Sequence, residues 1–169
     1  AGSMDFTPGI FNFTNKVLPD THPQTTLAKQ LAEYVLLYSP WQMAADMIEN
    51  YEHQPAFSFI ESVPTDWDKT VVVNAKIGNY ITIARKDKAS DDWYVGSATD
   101  VDARDLSIDL SFLDKDREYM AEVYADGPGA DFRSNPYPLM YQRIKVTYAS
   151  SLRLHLAPSG GAAVRIKAL

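Results

Sequence analysis

The sequence predicts a mainly β protein with an N-terminal helical segment, in which an antiparallel eight-stranded β-sandwich follows a short helical part. Apolar residues recur with helical spacing over residues 21–62, and from Thr65 onward the spacing changes to every second residue. Short turns rich in Gly, Pro, Asn and Asp separate the alternating runs, which favours antiparallel hairpins over a parallel sheet. We therefore expect two parts, residues 1–62 and residues 63–169, with the boundary near Val63-Pro64.

The first predicted helix lies in TTLAKQLAEYVLLYS, residues 25–39. Thr25 or Thr26 can cap its start, because a threonine hydroxyl accepts a hydrogen bond from a free amide of the first turn. Ser39-Pro40 ends it, because the residue before a proline is pushed out of the helical region. Four apolar side chains share one face: Leu27, Leu31, Val35 and Tyr38.

Two further helices are predicted before residue 63. Pro40 suits the first turn of a second helix through WQMAADMIENYE, residues 41–52, with Met43, Met47 and Tyr51 along one face. A third, short helix in PAFSFIES, residues 55–62, buries Phe57 and Ile60. The connections are so short that we expect the helices to pack as neighbours.

Eight strands follow, and most of them alternate apolar and polar residues. Leu106, Ile108, Leu110 and Phe112 point to one face of their strand, whereas the residues between them point to the other. The predicted ranges are 70–75, 79–85, 93–99, 106–113, 119–126, 142–148, 151–157 and 163–169.

Composition excludes several classes of function. The chain has 169 residues and a formal net charge of −6, whereas a domain that follows phosphate backbones is usually basic, so nucleic acid is a poor candidate partner. No apolar run approaches the ~20 residues of a membrane-spanning helix. Cysteine is absent, which excludes disulfides, thiolate metal ligands and a cysteine nucleophile. Aromatic residues make up 12% of the chain, which is compatible with sugar binding and equally with an ordinary β-rich core.

Few residues form a recognisable catalytic or metal-binding pattern. The three histidines, His22, His53 and His155, have no ligand spacing, and we expect no metal or cofactor in this chain. Asp114-Lys115-Asp116 lacks the glycine and glutamate of a calcium loop. Asp5 is the one acidic residue singled out, since it stands where a short strand meets a loop and could line a pocket; it could equally cap the following turn.

Four aromatic residues are candidate platforms for stacking against sugar rings. Each could equally belong to the core, because a tryptophan in an alternating strand is usually buried. They are Trp67, Trp93, Tyr94 and Tyr137.

The start of the chain carries several large apolar groups, which is unusual for a natural N-terminus. Phe6, Ile10, Phe11 and Phe13 lie within ten residues of Met4, and AGS ahead of Met4 could be native or a cloning scar. A natural start and an excised piece of a longer protein both stay open.

Several segments together resemble family 97 of the glycoside hydrolases, which are bacterial α-glucosidases and α-galactosidases. The likeness runs through nearly the whole chain in the family's order and spacing. It is carried by MDFTPGIF (4–11), TTLAKQLAEYVLLYSPWQMAAD (25–46), ENYEHQPAFSFIESVPTDWD (49–68), GNYITIARK (78–86), WYVGSATD (93–100), LSFLDKDREY (110–119) and Gly160-Gly161. Ser3 departs from the proline expected before Met-Asp.

The resemblance implies that residues 1–62 are the last strand, about residues 3–7, and the closing helices of a catalytic (β/α)8 barrel, and that residues 63–169 are the C-terminal β-sandwich. In the family, the catalytic acid, its partner carboxylate and the calcium-binding glutamates all precede the MDFTPG motif. The resemblance therefore implies calcium and an α-linked oligosaccharide as partners of the intact enzyme, in the periplasm or secreted. Asp5 is the matched residue nearest the chemistry.

Three functions follow as hypotheses. The chain is the C-terminal part of an α-glycosidase and inactive alone, or a stand-alone carbohydrate-binding module, or a brace for the barrel that also forms homo-oligomers. The third hypothesis expects helical faces carrying Leu27, Leu31, Val35, Met43 and Met47 to be left uncovered. We favour the first for the origin of the chain and the third for its physical role.

Overall fold

The computed structural model describes residues 5–18 and 21–169. Its helices are α1 (Leu27–Leu36), α2 (Ile48–Tyr51) and α3 (Phe57–Ser62). Its strands are β1 (Trp67–Lys76), β2 (Tyr80–Asp87), β3 (Trp93–Thr99), β4 (Arg104–Asp109), β5 (Tyr119–Asp126), β6 (Leu139–Val146), β7 (Ser151–Leu156) and β8 (Gly161–Ala168).

The strands form two antiparallel sheets. The larger has six strands in the order β1-β2-β3-β8-β5-β6, and the smaller pairs β4 with β7. A core of apolar side chains fills the space between the sheets, and its fully buried members include Ile108, Leu110, Tyr119 and Val164. The predicted eight-stranded antiparallel sandwich is confirmed, with strand bounds shifted by a few residues.

The helical part covers the other face of the six-stranded sheet. Its apolar side chains join those of β3, β5 and β8 in a second core, which we call the helix–sheet core. Leu27, Leu31 and Val35 are buried in it, so the expectation that this helical face would be uncovered is wrong. The chain's own six-stranded sheet covers this helical face. The helix–sheet core therefore joins residues on both sides of the predicted boundary at residue 63.

Helix α1 approaches the sheet at two glycines. A Cβ atom on Gly96 would lie 2.7 Å from the carbonyl oxygen of Ala32, and one on Gly161 would lie 2.8 Å from the Cα of Lys29. Both neighbours are backbone atoms that cannot rotate away. Only glycine at these positions of β3 and β8 lets the helix pack this closely.

The start of α1 is fixed by side chains and by the sheet. Thr26 is its N-cap, as predicted, and accepts a hydrogen bond of 3.3 Å from the Lys29 amide. The Leu27 amide donates to the carbonyl of Pro136 at 2.9 Å. The Oδ2 atom of Asp126 accepts hydrogen bonds from the amides of Ala157 and Gly161, each at 2.8 Å. This buried carboxylate thus joins the end of β5 to the β7–β8 turn.

The predicted second helix is wrong over residues 40–47. This segment runs alongside residues 6–8 instead, with hydrogen bonds from the Met43 amide to the Phe6 carbonyl (3.2 Å) and from the Ala45 amide to the Pro8 carbonyl (3.0 Å). The helix starts only at Ile48. A long-range backbone pairing has therefore replaced the local helical hydrogen bonds that the apolar spacing favours. In α3, Phe59 is the fully buried residue, whereas Phe57 and Ile60 are half-buried.

Candidate functional site

Asp5 is exposed at the start of the described chain, just before the segment that pairs with residues 41–45. Phe6 makes one isolated parallel bridge with Gln42. The predicted strand at residues 3–7 lies partly outside the described residues. The role of Asp5 as a pocket-lining residue stays a prediction.

Two of the four candidate sugar platforms have no free ring face. Trp93 is 3% exposed and packs on Phe112 with ring centroids 4.9 Å apart, between the sheets. Tyr94 is 2% exposed in the helix–sheet core, and its hydroxyl donates to the Ser62 carbonyl at 2.7 Å. Sugar stacking at Trp93 and Tyr94 is therefore wrong for this fold, because both rings are covered by protein.

The other two candidates, Trp67 and Tyr137, are partly exposed to solvent. Trp67 is half-buried, with its ring 5.7 Å from that of Tyr94 and 6.0 Å from the guanidinium of Arg85. Tyr137 is 43% exposed, and its hydroxyl accepts a 3.1 Å hydrogen bond from the amide of Phe13. Both side chains have structural contacts, and their role in stacking stays a prediction.

The most apolar exposed stretch is residues 41–48, which we call the apolar segment. Within it Trp41 is 67% exposed, Met47 67% and Ile48 75%, and Met43 is also exposed. Monomeric proteins rarely expose several large apolar side chains so close together without a partner. This segment is therefore a candidate interaction surface.

Hydrogen bonds to the half-buried carboxylate of Asp46 hold the apolar segment in place. Asp46 accepts hydrogen bonds from the amides of Phe11 (2.7 Å) and Asn12 (2.6 Å). Burial alone would raise the pKa of Asp46, but these bonds, with those from Asn50 and Met47, outweigh it and hold the pKa below its usual range. The segment is thus an ordered surface whose exposed side chains have a fixed backbone.

The hydroxyl of Tyr51 makes a second tie beneath the apolar segment. It donates to the Gly9 carbonyl at 2.7 Å and accepts from the Asp46 amide at 2.8 Å. Tyr34 makes a similar contact, donating to the Pro8 carbonyl at 3.1 Å. These tyrosines connect the segment of residues 6–11 to α1 and α2.

An aromatic groove opens beside the apolar segment, between α2–α3 and the edge of the six-stranded sheet. Its volume is about 650 Å³, and its walls include Tyr51, Phe57, Tyr124 and Tyr141. Sequence reasoning missed it because its residues come from separate parts of the chain. Tyr141 in particular lies in the edge strand β6, where nothing in the local sequence marks it as part of a site.

Charged groups on α1 and on the neighbouring strand β5 have shifted pKa values. Burial raises the pKa of Glu33 to about 7, against a smaller opposing effect of Lys29. Burial lowers the pKa of Lys29 itself, whose ammonium donates to the Thr99 carbonyl at 3.0 Å. Burial also raises the pKa of Asp126 in spite of its hydrogen bonds, and its Oδ1 atom has no partner among the described residues.

The described part of the chain offers no cluster of three or more His, Asp or Glu side chains able to hold a metal ion. Among these same residues, no helix is long and apolar enough to span a membrane.

Known proteins resemble this chain over its whole length. Its residues 66–167 match the family described as "Glycosyl-hydrolase 97 C-terminal, oligomerisation". A retaining α-galactosidase of Bacteroides thetaiotaomicron is 36% identical over 99% of this chain and 25% of that protein.

Solved structures agree with this relationship. A family 97 enzyme from Pseudoalteromonas sp. strain K8, solved with panose and with acarbose, is 47% identical and superposes with a TM-score of 0.93. The match covers 100% of this chain and 27% of that one. A β-arabinopyranosidase is 27% identical with a TM-score of 0.78, over 97% of this chain and 25% of its own. This chain spans about a quarter of these relatives. By sequence, by fold and by the match over its sandwich, the chain belongs to family 97 of the glycoside hydrolases.

Proposed function

We propose that this chain is the C-terminal part of an enzyme that hydrolyses α-glycosides, and that it braces the catalytic part and promotes self-association without catalysing hydrolysis itself. The 36% identity to a retaining α-galactosidase and the 47% identity to an enzyme solved with panose and acarbose support this role. They leave two substrate classes open, α-galactosides and α-glucosides. The family description of the sandwich as an oligomerisation domain supports self-association.

The observation that carries the proposal is the apolar segment on its fixed backbone. Trp41, Met47 and Ile48 are each at least two-thirds exposed, yet hydrogen bonds of Asp46 and Tyr51 tie the backbone of the segment to residues 9–12. Burying such side chains against a partner is favourable by about 25 cal/mol per Å² of apolar surface, and little ordering entropy is lost because the backbone is already fixed.

We expect the 169-residue chain to form dimers or larger species through the apolar segment. Sedimentation velocity over a range of concentrations measures this directly. The double variant Trp41→Ser/Met47→Ser should weaken association at least tenfold. Ile77→Ser is the matched control, because Ile77 is fully exposed at the tip of the β1–β2 turn, away from the segment, and its loss should change nothing. A clean monomer at high concentration would contradict the proposal.

We also expect the chain to leave aryl α-glucosides and α-galactosides intact, with or without calcium. Glycoside hydrolysis needs two carboxyl groups placed on either side of the scissile bond. By resemblance, both precede the MDFTPG motif in family 97. The measurement is release of the aryl group by purified chain, and turnover above the buffer rate would show that the catalytic part is not needed.

A further inference from the structure

The aromatic groove has two walls whose outer rings are held by buried rings. On one wall Phe57 stacks on Tyr51, with centroids 4.8 Å apart and an interplanar angle of 28°. On the other, Tyr141 lies 4.9 Å from Tyr124. Tyr51 and Tyr124 are buried, whereas Tyr141 is 47% exposed. The accessible rings are therefore fixed before any ligand arrives, which lowers the entropy cost of binding.

Polar groups line the groove and its edge. Ser58 Oγ and the Tyr124 hydroxyl, both in its lining, are 2.9 Å apart. Glu52, Gln54 and Glu61 are exposed around it. This arrangement provides acceptors and donors for several hydroxyl groups beside aromatic faces.

The charge and polarity of the residues that line the groove favour some classes of ligand over others. Two carboxylates at its edge, in a chain of net charge −6, disfavour phosphates and other anions. A purely apolar ligand would make no use of the hydroxyl groups of Ser58 and Tyr124 or of the carboxylates beside the rings. A sugar ring has an apolar C–H face for the aromatic rings and hydroxyls for the carboxylates. At about 650 Å³, the groove has room for about two or three such rings.

We propose that this groove binds a neutral α-linked oligosaccharide. The groove itself indicates a neutral sugar of this size, and the choice of the α linkage rests on the proposed function. Tyr141 is the principal stacking platform, because it is the most exposed ring of the four. Glu61 binds hydroxyl groups from the edge.

Calorimetric titration of the 169-residue chain with maltotriose, panose and raffinose tests the proposal. We expect saturable binding of at least one of them at a single site per chain, with Kd on the order of 1 mM. Tyr141→Ala should weaken binding at least tenfold, Tyr141→Phe should preserve it within about twofold, and Glu61→Gln should weaken it about threefold. Tyr38→Ala is the matched control, because Tyr38 is also 47% exposed but lies outside the groove.

The outcomes separate this site from the proposed function. Absence of saturable binding with all three sugars overturns the site, and so does unchanged affinity in both Tyr141→Ala and Glu61→Gln. Because Glu61 is exposed, we expect Glu61→Gln to fold. The test therefore remains decisive even if Tyr141→Ala does not fold. Sugar binding by a strictly monomeric chain would contradict only the self-association. Association that Tyr141→Ala abolishes would mean that a second copy fills the groove, which also overturns the sugar site.

Discussion

At the scale of single residues, Arg85 has the most consequential contacts. It is 8% exposed, and its Nε donates to the Val35 carbonyl at 2.7 Å, near the C-terminal end of α1. Its Nη1 donates to Thr70 on the neighbouring strand at 2.9 Å. Burial lowers the pKa of Arg85, but an arginine at this distance from a helix C-terminus still keeps its charge and complements the helix dipole.

We expect Arg85→Met to destabilise the protein by about 2 kcal/mol, because the Val35 carbonyl loses a charged donor while the aliphatic part of the side chain is preserved. The free energy of unfolding in urea, measured by circular dichroism, is the readout. Arg153→Met is the control, since Arg153 is exposed on β7 and its loss should change stability by less than about 0.5 kcal/mol. Equal effects of the two variants would show that the buried contact contributes nothing.

Glu33 predicts a dependence of stability on pH. Burial raises its pKa to about 7 in the folded chain, above the value of about 4.3 for an unfolded glutamate. The folded state therefore binds more protons than the unfolded state between these values, so stability decreases as pH rises from about 4.5 through 7. Because Glu33 is partly accessible, we expect the loss to be about 2 kcal/mol or less.

The variant Glu33→Gln should remove this contribution. We expect it to match the wild type near pH 4.5 and to exceed its free energy of unfolding at pH 8. Urea titrations at four or five pH values measure the difference, with Glu118→Gln as an exposed control that shows no such trend. A difference that is flat across this range would contradict the buried placement of Glu33.

At the scale of secondary-structure elements, the contact of α1 with the sheet depends on the glycines of β3 and β8. The Ala32 carbonyl oxygen lies only 2.7 Å from the point where the Cβ of any other residue at position 96 would stand. Because that oxygen belongs to the helix backbone, relief requires movement of α1 as a whole. Such overpacking typically costs about 1–3 kcal/mol.

We expect Gly96→Ala to lower the free energy of unfolding by about 2 kcal/mol or more. Gly78→Asn is the matched control. Gly78 has a φ of 78° with open space around it, and asparagine tolerates that conformation well, so the control should cost less than about 1 kcal/mol. Thermal and urea unfolding of both variants gives the comparison. A tolerated alanine at position 96 would mean that the helix can shift at little cost.

The alternation of apolar residues was sufficient to predict the strands, because each half-buried strand has its pattern in its own sequence. Ile108, expected on an inner face, is fully buried, although the strand predicted over residues 106–113 ends at Asp109 and Leu110 is buried from the turn that follows. The same reasoning failed at Met43 and Met47, whose helical spacing is overridden by backbone pairing with residues far away in the sequence. A local pattern carries no information about such a partner.

The candidate site was less predictable than the fold. Trp93 and Tyr94 are adjacent in an alternating strand, and both are buried because each face of β3 is covered, one by the second sheet and the other by the helical part. Tyr141 and Glu61 become neighbours only in the folded chain. Aromatic composition was compatible with sugar binding, but it did not indicate which aromatic residues would line a groove.

At the scale of the whole molecule, the two predicted parts, residues 1–62 and residues 63–169, both contribute to the helix–sheet core. Phe59 of α3 packs edge-on against Tyr94 of β3 (6.0 Å between centroids) and Tyr124 of β5 (5.6 Å). Tyr94 and Tyr124 are buried in the helix–sheet core, where the helical part covers them. The family match over residues 66–167 thus ends inside a continuous packed structure.

We expect the 169-residue chain to unfold in a single cooperative transition, and a chain of residues 63–169 to be much less stable. Without the helical part, the aromatic and glycine-lined face of the sheet would be exposed to water. Differential scanning calorimetry should show one peak for the full chain and a midpoint lower by about 10 °C or more for the shorter one. Two separate peaks in the full chain would show instead that the helical part and the sandwich are independent.

The glycines at positions 96 and 161 set the distance between α1 and the sheet. A Cβ added at these positions would lie 2.7 Å from the carbonyl oxygen of Ala32 and 2.8 Å from the Cα of Lys29, so main-chain atoms of the helix limit the approach. We therefore expect volume-conserving changes among the surrounding apolar side chains to move α1 less than a side chain added at either glycine. The segment with Trp41 and Met47, which follows α1 in the chain, thereby takes its height above the sandwich from a contact between two backbones.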